Sequence, residues 1–517
     1  MRPSLLAMAL LLTTPAYAQA NNAGDVPPKD LKAAASESKP DQDSAKASVA
    51  EDAQPLHRAI PFHGRTLAYV VTPGHVTIRN DAGEPIASIF YVAYTMPSAP
   101  GRPRPVTFLF NGGPGSSSMW LHMGSFGPLK IDASKPEMER PAPFRLQPNP
   151  DTLLDLSDLV FIDAPTTGLS RALGKAETKD LVGVDHDLDA FTRTIERWLT
   201  VYGRWNSPKF IIGESYGTLR AAGLSHMLAD KGVQLNGITL MSTTLSIGLL
   251  FSNYDQTYIN ILPTYAATAW YHNRIPNKPP LDAFLQEARN FARGRYAAAL
   301  EQGNKLPDPE RREVAAQAAR LTGLTPDYFL ANNLRVGPDR FRKELLRDEG
   351  RIVGRLDSRF TGSDPDRAGD AADYDPQDKA ITGAWTAIIN DYLFRDLGYK
   401  TPLFYRPNNY SVFPLWDWKH SIGQSGTQMA ADTSVDLAAA MRENPNLKLM
   451  ALNGLFDLAT PFAGAEYDLE HMQLGSREQQ NIRFAYYPSG HMIYIDPVSA
   501  QKLHADLASF YESAMSS

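Results

Sequence analysis

One serine of the chain lies in a pattern that suits a nucleophile. Ser215 is at the centre of the pentapeptide Gly-Glu-Ser-Tyr-Gly (residues 213–217), after the apolar run 210–212 and before the helical pattern 218–228. A strand, a sharp turn and a helix in this order form a nucleophile elbow, which exposes the serine oxygen at the end of the strand. The flanking glycines fit this turn because larger side chains would collide with neighbouring backbone. From this motif alone, a glycine-rich turn with a solvated serine is the alternative.

A serine needs a base that removes its proton and a carboxylate that holds the base. His491 follows the apolar strand pattern 484–487, and Asp457 follows the strand pattern 447–452. Taken singly, each has a plainer interpretation, as a hydrogen-bonded turn residue or a helix cap. Together the three residues come in the order Ser, Asp, His, each after a different predicted strand, which is the order of an α/β-hydrolase triad. We therefore predict a catalytic triad of Ser215, Asp457 and His491.

Acyl transfer also requires backbone N–H groups directed at the negative oxygen of the transition state. Tyr216, directly after the serine, supplies one such group, and a loop at the end of an earlier strand is expected to supply the second. The glycine-rich loop 111–118 follows the predicted strand 106–110 and has the required position. An ordinary connecting loop is the alternative, since glycine and proline are common in loops.

The elements that must position these residues alternate in type along the chain. Short apolar runs ending in glycine-rich or acidic corners are typical of strands covered on both faces, and helical patterns such as 188–202 lie between them. These runs are 106–110, 159–162, 210–212, 238–241, 447–452 and 484–487. The alternation predicts the α/β class, with a doubly wound, mostly parallel sheet of the α/β-hydrolase fold.

Two regions depart from this alternation. The first predicts antiparallel amino-terminal strands over 65–72, 76–79 and 85–94, with turns at 72–74 and 81–83. In the second, the strand signal disappears and helical segments such as 281–299 and 380–393 replace it. We expect a hydrolase core in two parts, residues 57–250 and 431–517, with residues 251–430 inserted as a mostly helical cap.

The amino-terminal residues predict export. Arg2, the apolar run 5–12 and the Ala-Tyr-Ala sequence at 16–18 form a signal-peptide pattern, so we expect residues 1–18 to be removed. The run is too short to span a bilayer, which leaves no integral membrane segment in the expected periplasmic or extracellular protein. Residues 19–56 contain no aromatic residue and few large aliphatic ones, and they predict a disordered leader or tether.

Composition excludes several kinds of protein. The 517 residues carry 51 Lys and Arg against 57 Asp and Glu, for a formal net charge of −6, which argues against a nucleic-acid partner. The absence of cysteine excludes disulfides, thiolate metal sites and a cysteine nucleophile. Asp185-His186-Asp187 predicts a solvated first helical turn, and the acidic stretch 364–378 lacks the spacing of a calcium loop. We expect no metal and no organic cofactor.

Five short motifs together resemble those of the serine carboxypeptidase family. Residues 111–118 resemble its NGGPGCSS motif, with Ser116 in place of cysteine, and residues 213–216 match its GESY motif. The remaining three resemblances are Asp163-Ala164-Pro165 with Gly168 and Ser170 to D-x-P-x-G-x-G/S, residues 453–457 to N-G-D-x-D, and residues 490–492 to G-H-M. The matches keep the family's order over residues 106–500, with the insertion where the family also has one.

The resemblance implies a role for each matched residue. Ser215 would be the nucleophile, His491 the general base and then acid, and Asp457 the carboxylate that orients it. Gly113 and Tyr216 would donate the oxyanion N–H groups. Asn111 and Glu214 would help to bind the free carboxylate of a peptide substrate; a solvated elbow residue is the alternative for Glu214.

The chain also departs from the family pattern. Ser125 occupies the place of a glutamate that the family uses beside the substrate carboxylate, and Leu109 replaces a tryptophan. Thr460 replaces the family's cysteine after the catalytic aspartate. The triad is unaffected by these changes, whereas part of the carboxylate-binding set that the resemblance implies is missing.

The sequence as a whole predicts an exported serine carboxypeptidase acting on peptides through an acyl-enzyme on Ser215. An esterase or acyltransferase using the same triad is the second interpretation, favoured if the change at Ser125 abolishes carboxylate recognition. A noncatalytic extracytoplasmic peptide-binding protein of the same fold is the third, and the intact Ser215, Asp457 and His491 argue against it.

Overall fold

The computed structural model describes residues 46–99, 101–131, 141–251, 254–423 and 426–516. The predicted signal peptide and residues 19–45 of the predicted leader lie outside these ranges. The strands in chain order are β1 Leu56–Phe62, β2 Arg65–Arg79, β3 Pro85–Thr95, β4 Val106–Phe110, β5 Leu129–Ile131, β6 Leu146–Pro148, β7 Asp158–Ile162, β8 Arg171–Ala172, β9 Lys209–Glu214, β10 Gly237–Met241, β11 Arg351–Val353, β12 Thr361–Ser363, β13 His420–Ser421, β14 Thr427–Gln428, β15 Lys448–Gly454 and β16 Ile482–Tyr487.

The α-helices lie between and after these strands. In chain order they are α1 Met119–Leu121, α2 Val184–Val201, α3 Tyr216–Asp230, α4 Ile247–Phe251, α5 Asp255–Tyr271, α6 Leu281–Phe291, α7 Ala297–Gln302, α8 Asp308–Thr322, α9 Pro326–Ala331, α10 Pro338–Glu344, α11 Pro376–Asn390, α12 Ser434–Glu443, α13 Phe462–Glu470, α14 Ser476–Gln479 and α15 Pro497–Met515. Among the described residues, no helix is both long and apolar enough to cross a membrane.

The central sheet has the order β1-β2-β3-β7-β4-β9-β10-β15-β16, with β8 paired to β3. Strands β1, β2, β3 and β7 pair antiparallel, and every pairing from β7 through β4 to β16 is parallel. Because β4 lies between β7 and β9, the winding direction reverses at β4, and a crevice forms there at the carboxyl ends of the strands. This is the α/β-hydrolase fold that the sequence predicts.

Alternating side chains of the parallel strands enter two separate cores. Phe108 and Phe110 of β4 pack on one face of the sheet with residues of α2, α3 and α12. Leu109 packs on the other face with residues of α11 and α15. Both faces are covered, which explains why these strands read as continuous apolar runs rather than alternating patterns.

Residues 242–447 separate β10 from β15, although the two strands are neighbours in the sheet. Most of the intervening elements are helices, and α5 to α9 surround a third apolar core. Leu455, Phe456 and Leu458 belong to this third core, so the loop after β15 lies against the helices. The short hairpins β11–β12 and β13–β14 also lie in this region, and their strands of two or three residues are too short to produce a periodic pattern.

The amino-terminal strands differ from prediction in one respect. Residues 65–79 form one continuous strand, and the predicted turn at 72–74 is wrong: Pro73 pairs with Val92 and Gly74 with Tyr91. Part of the predicted leader also lies against this strand, where the Gln54 N–H donates to the Pro73 carbonyl at 3.0 Å. A Cβ at Gly74 would lie 2.5 Å from the Asp52 carbonyl oxygen, so the glycine is needed for this close approach rather than for a turn.

Candidate active site

The three predicted triad residues follow three strands that end at the same edge of the sheet. Ser215 comes directly after β9, Asp457 three residues after β15, and His491 four residues after β16. Strand β10 lies between β9 and β15, and the Ser242 hydroxyl at its end donates to the His491 carbonyl oxygen at 2.6 Å. The sheet therefore brings together residues that are up to 276 positions apart, from 215 to 491.

Ser215 has a backbone conformation that non-glycine residues rarely adopt, with φ 62° and ψ −131°. Such a conformation costs on the order of 1–3 kcal/mol and is characteristic of functional sites. A Cβ at Gly213 would lie 2.1 Å from the Gly217 carbonyl oxygen, and one at Gly217 would lie 3.0 Å from the Phe110 carbonyl oxygen. Both glycines are thus required by close backbone contacts, as the motif predicts, and Ser215 itself is only half-buried.

His491 and Asp457 form a buried pair, with 2.8 Å between Nδ1 and Oδ2. The remaining partners of Asp457 are local: Oδ1 accepts the N–H groups of Ala459 and Thr460 at 2.8 and 3.0 Å. Burial lowers the pKa of His491, but Asp457 and Glu214 raise it by more, so the net pKa is raised despite opposition from Arg355. With Nδ1 directed at the carboxylate, Nε2 is the ring nitrogen left for another partner.

Thr460 is a site residue to which the sequence analysis gave no role. Its hydroxyl donates to Asp457 Oδ2 at 2.7 Å and lies 3.2 Å from His491 Nδ1. The sequence marked it only as a replacement for cysteine. A usable signal was present in the spacing, because an aspartate commonly accepts hydrogen bonds from groups two and three residues later.

The candidate oxyanion groups lie on neighbouring loops. A Cβ at Gly112 would lie 2.4 Å from the Tyr216 nitrogen, which places the loop after β4 directly against the elbow. Gly113 has φ 104°. Within the described part of the chain, the N–H groups of Gly113 and Tyr216 donate to no protein acceptor. Both donors therefore have the capacity to bind a substrate oxygen.

Two buried polar residues hold this loop in place. Asp163 Oδ1 accepts both the backbone N–H and the hydroxyl of Ser118, at 2.9 and 2.8 Å. Arg220 donates to the Asn111 carbonyl oxygen at 2.6 Å and pairs with Asp187. The prediction of a solvated turn at 185–187 is wrong for Asp187, which is 1% exposed because it provides the counter-charge for Arg220.

Glu214 is buried beside the triad. Burial raises its pKa to about 7, and the nearby Asp457 carboxylate adds to this rise. His491, Tyr494 and Asn111 act in the opposite direction and lower the pKa. Its Oε2 atom has no hydrogen-bonding partner among the described residues. The Asn111 side chain is oriented by the Leu121 N–H, which donates to Oδ1 at 3.0 Å. The interpretation of Glu214 as a solvated elbow residue is wrong, because the side chain turns into the protein.

Ser125 does not offer a free hydroxyl. Its Oγ donates to the Leu121 carbonyl oxygen at 2.6 Å, within the π-helical turn His122–Phe126. The side chain is buried, and the proton of the hydroxyl is already committed to the backbone. The replacement of glutamate at this position removes a carboxyl group without providing a new donor.

His122, which the sequence places near the oxyanion loop, is a core residue. It is stacked on Phe161 with 4.5 Å between ring centroids, and Nε2 lies 2.6 Å from the Tyr94 hydroxyl. Burial lowers its pKa to about 3. It is therefore neutral at physiological pH and separate from the Asp457–His491 pair.

The comparisons with known proteins agree with the motifs. Residues 65–292 match the sequence model of a protein family described as "Serine carboxypeptidase". The chain is therefore similar to the serine carboxypeptidase family over this region, which is somewhat less than half of its length. It is similar to the pheromone-processing carboxypeptidase KEX1 of Saccharomyces cerevisiae, at 32% identity over 28% of this chain and 20% of that protein. It is also similar to serine carboxypeptidase-like 50 of Arabidopsis thaliana, at 24% identity over 51% of this chain and 54% of that protein.

The chain thus spans between a fifth and about half of the length of these curated relatives. Among solved structures, proline iminopeptidase of Mycobacterium smegmatis aligns over 86% of this chain and 99% of that chain, with 14% identity and a TM-score of 0.36. The family match ends before Asp457 and His491, so the roles of these residues rest on their motifs and on geometry.

Thr460 provides a test of the hydrogen bonds around the pair. We expect Thr460→Val to slow the reaction of Ser215 with a fluorophosphonate by about 10-fold, because a hydrogen bond to a charged group contributes on the order of 1.5–3 kcal/mol. Thr460→Ser keeps the hydroxyl and is the matched control. Equal labelling rates for the valine and serine variants would show that the hydroxyl does not support the pair.

Proposed function

We propose that the protein is a serine carboxypeptidase that removes carboxyl-terminal residues from peptides. The observation that carries this proposal is the buried Asp457–His491 pair at the sheet edge where the strained Ser215 elbow also ends. The proposal includes Gly113 and Tyr216 as oxyanion donors, and Asn111 and Glu214 as the residues that bind the substrate carboxylate. Peptides are the expected substrates.

The proposed reaction proceeds by two acyl transfers. Ser215 Oγ attacks the scissile carbonyl carbon while His491 Nε2 takes its proton, and Asp457 stabilises the resulting imidazolium. The N–H groups of Gly113 and Tyr216 bind the negative oxygen of the tetrahedral intermediate. Collapse of this intermediate breaks the peptide C–N bond, and His491 returns the proton to the leaving amine. Water then repeats the sequence against the acyl-enzyme and releases the new carboxyl end.

Recognition of the carboxyl end follows from the environment of Glu214. A substrate carboxylate in this buried space requires donors, since an unpaired buried charge is costly. A protonated Glu214 provides one donor. Its Oε2 atom has no hydrogen-bonding partner among the described residues, so it is able to make this bond. Because burial raises the pKa of Glu214 to about 7, the protonated form is available in weakly acidic solution.

An esterase or acyltransferase is the second candidate. The observation that favours it is the Ser125 hydroxyl, whose proton is donated to the Leu121 carbonyl oxygen and is not available to a substrate carboxylate. Recognition of a free carboxyl end would then depend on Asn111 and Glu214. Comparing kcat/KM for one blocked dipeptide as the free acid, the amide and the methyl ester separates these two activities.

We also propose that the protein is exported, to the periplasm or the extracellular space. The signal-peptide pattern at residues 1–18 supports this proposal. Amino-terminal sequencing of the exported fraction is expected to begin at Gln19. Recovery of an exported protein that retains Met1 would overturn it.

The triad assignment predicts the loss of activity in three variants. Ser215→Ala and His491→Ala are each expected to lower kcat by on the order of 10³-fold or more, because the triad acts as a unit. Asp457→Asn is expected to cause a large but smaller loss. A fluorophosphonate label should map to Ser215. His186→Ala is the control, and it should retain activity; a His491→Ala enzyme with normal turnover would contradict the assignment.

Glu214 predicts a pH dependence of binding. Below pH 7 the protonated carboxyl donates to the substrate carboxylate; above pH 7 the ionised group repels it, so KM for a free-acid peptide should rise as pH passes 7. Glu214→Gln is neutral at every pH and should abolish this rise. The amide of the same peptide is the control substrate, and an identical rise for acid and amide would refute the assignment.

A further inference from the structure

A short segment between the helices and the sheet contacts both loops of the Asp457–His491 pair. Residues 354–360 follow β11 and precede β12, and we call them the bracing segment. The segment is anchored among the helices, because the Ser358 hydroxyl lies 2.7 Å from that of Thr268 in α5. The Asp375 carboxylate, at the start of α11, also accepts the N–H groups of Arg355 and Leu356.

On the histidine side, the bracing segment bonds the backbone around the imidazole. The His491 N–H donates to the Leu356 carbonyl oxygen at 2.7 Å. The N–H of Gly490 donates to Asp357 Oδ2 at 3.2 Å. A Cβ at Gly490 would lie 2.4 Å from the Cβ of Asp357, so the two segments are in contact and leave no space for a side chain at residue 490. The segment thus fixes the two residues at the point where the imidazole is attached.

Arg359 adds further bonds to the same loop. It donates to the Pro488 carbonyl oxygen at 2.7 Å and to the Ser489 hydroxyl at 3.2 Å. It also pairs with Asp357 at 2.7 Å and with Asp496 at 3.1 Å. Burial lowers the pKa of Arg359, but these two carboxylates raise it by more, so the guanidinium stays charged.

On the aspartate side, the same segment bonds the loop after β15. The Phe456 carbonyl oxygen accepts both the N–H and the hydroxyl of Ser358, each at 3.0 Å. The Leu458 N–H donates to the Arg355 carbonyl oxygen at 3.0 Å. These acceptor and donor positions are the immediate neighbours of Asp457. One segment therefore restrains both members of the pair.

We propose that Asp357 and Arg359 are positioning residues that hold His491 in register with Asp457 and Ser215. This inference rests on the proposed function, since it assigns His491 the role of base. A buried ion pair adds little net stability by itself, because desolvation offsets the attraction. The hydrogen bonds of Asp357 and Arg359 end on residues 488–490, which directly precede His491. A displacement of a catalytic group by about 1 Å reduces catalysis by up to about 10²-fold.

The test compares Arg359→Gln with a buried pair of similar exposure elsewhere. Lys343 and Asp364 form such a pair, at 2.6 Å with both side chains 1% exposed, and neither contacts the bracing segment in any described interaction. Arg359→Gln should slow fluorophosphonate labelling of Ser215 and kcat by about 10- to 100-fold, with KM within about 3-fold. Asp364→Asn is the control. Its Ser215 should be labelled at the wild-type rate, even if the substitution lowers the melting temperature as much as Arg359→Gln does.

Two further measurements keep the proposal falsifiable if Arg359→Gln fails to fold. Ser489→Ala removes one contact of Arg359 and should slow labelling by about 2- to 5-fold. Asp357→Asn should change the pH profile of the labelling rate, whose acid limb reports His491 in the field of Asp457, Glu214 and Arg355. Wild-type labelling rates in folded Arg359→Gln and Asp357→Asn, or in Ser489→Ala if these do not fold, would overturn the inference. Failure of the wild-type enzyme to label would instead overturn the proposed function.

Discussion

The buried carboxylate of Asp457 is the constraint on which the rest of the site depends. A fully buried carboxylate is stable only when most of its lone pairs accept hydrogen bonds. Here two backbone N–H groups, the Thr460 hydroxyl and His491 Nδ1 serve it, and all four lie on loops that follow β15 and β16. The geometry of the pair is thus set by the register of these two parallel strands. The insertion also contributes, because Leu455, Phe456 and Leu458 on either side of Asp457 belong to the helical core.

Close backbone contact is the second constraint, and it explains the glycines in the motifs. Gly112 lies against the Tyr216 nitrogen, and Gly454 lies against the Gly490 carbonyl, where a Cβ would be 2.4 and 2.1 Å from these atoms. A side chain at either position would separate two loops that must meet. The glycines of the NGGPG and N-G-D-x-D motifs therefore allow the loops to approach, and the chemistry comes from the residues beside them.

Much of this architecture is predictable from the sequence because its determinants are local. The buried strands of the parallel half read as apolar runs, and the elbow reads as strand, glycine-flanked serine and helix. The partners that support the site are different, since they are distant in sequence: Arg220 meets Asp187 and the Asn111 carbonyl, and Arg359 meets the loop at 488–489. No periodicity reports such pairs. The turn predicted at 72–74 failed for a related reason, because a neighbouring chain segment, rather than the local Pro-Gly sequence, decided the conformation.

Glu214 and His491 share one buried environment, and each affects the proton affinity of the other. The histidine lowers the pKa of Glu214, and Glu214 raises the pKa of His491, so their titrations are coupled. Under the proposed function, ionisation of Glu214 would act twice: it would oppose binding of a substrate carboxylate, and it would strengthen the hold of His491 on the proton that a base must lack. Ser125 contributes no carboxyl group, and its hydroxyl donates to the Leu121 carbonyl oxygen. Burial, which raises the pKa of Glu214 to about 7, is then the physical effect that keeps this carboxyl neutral in weakly acidic solution.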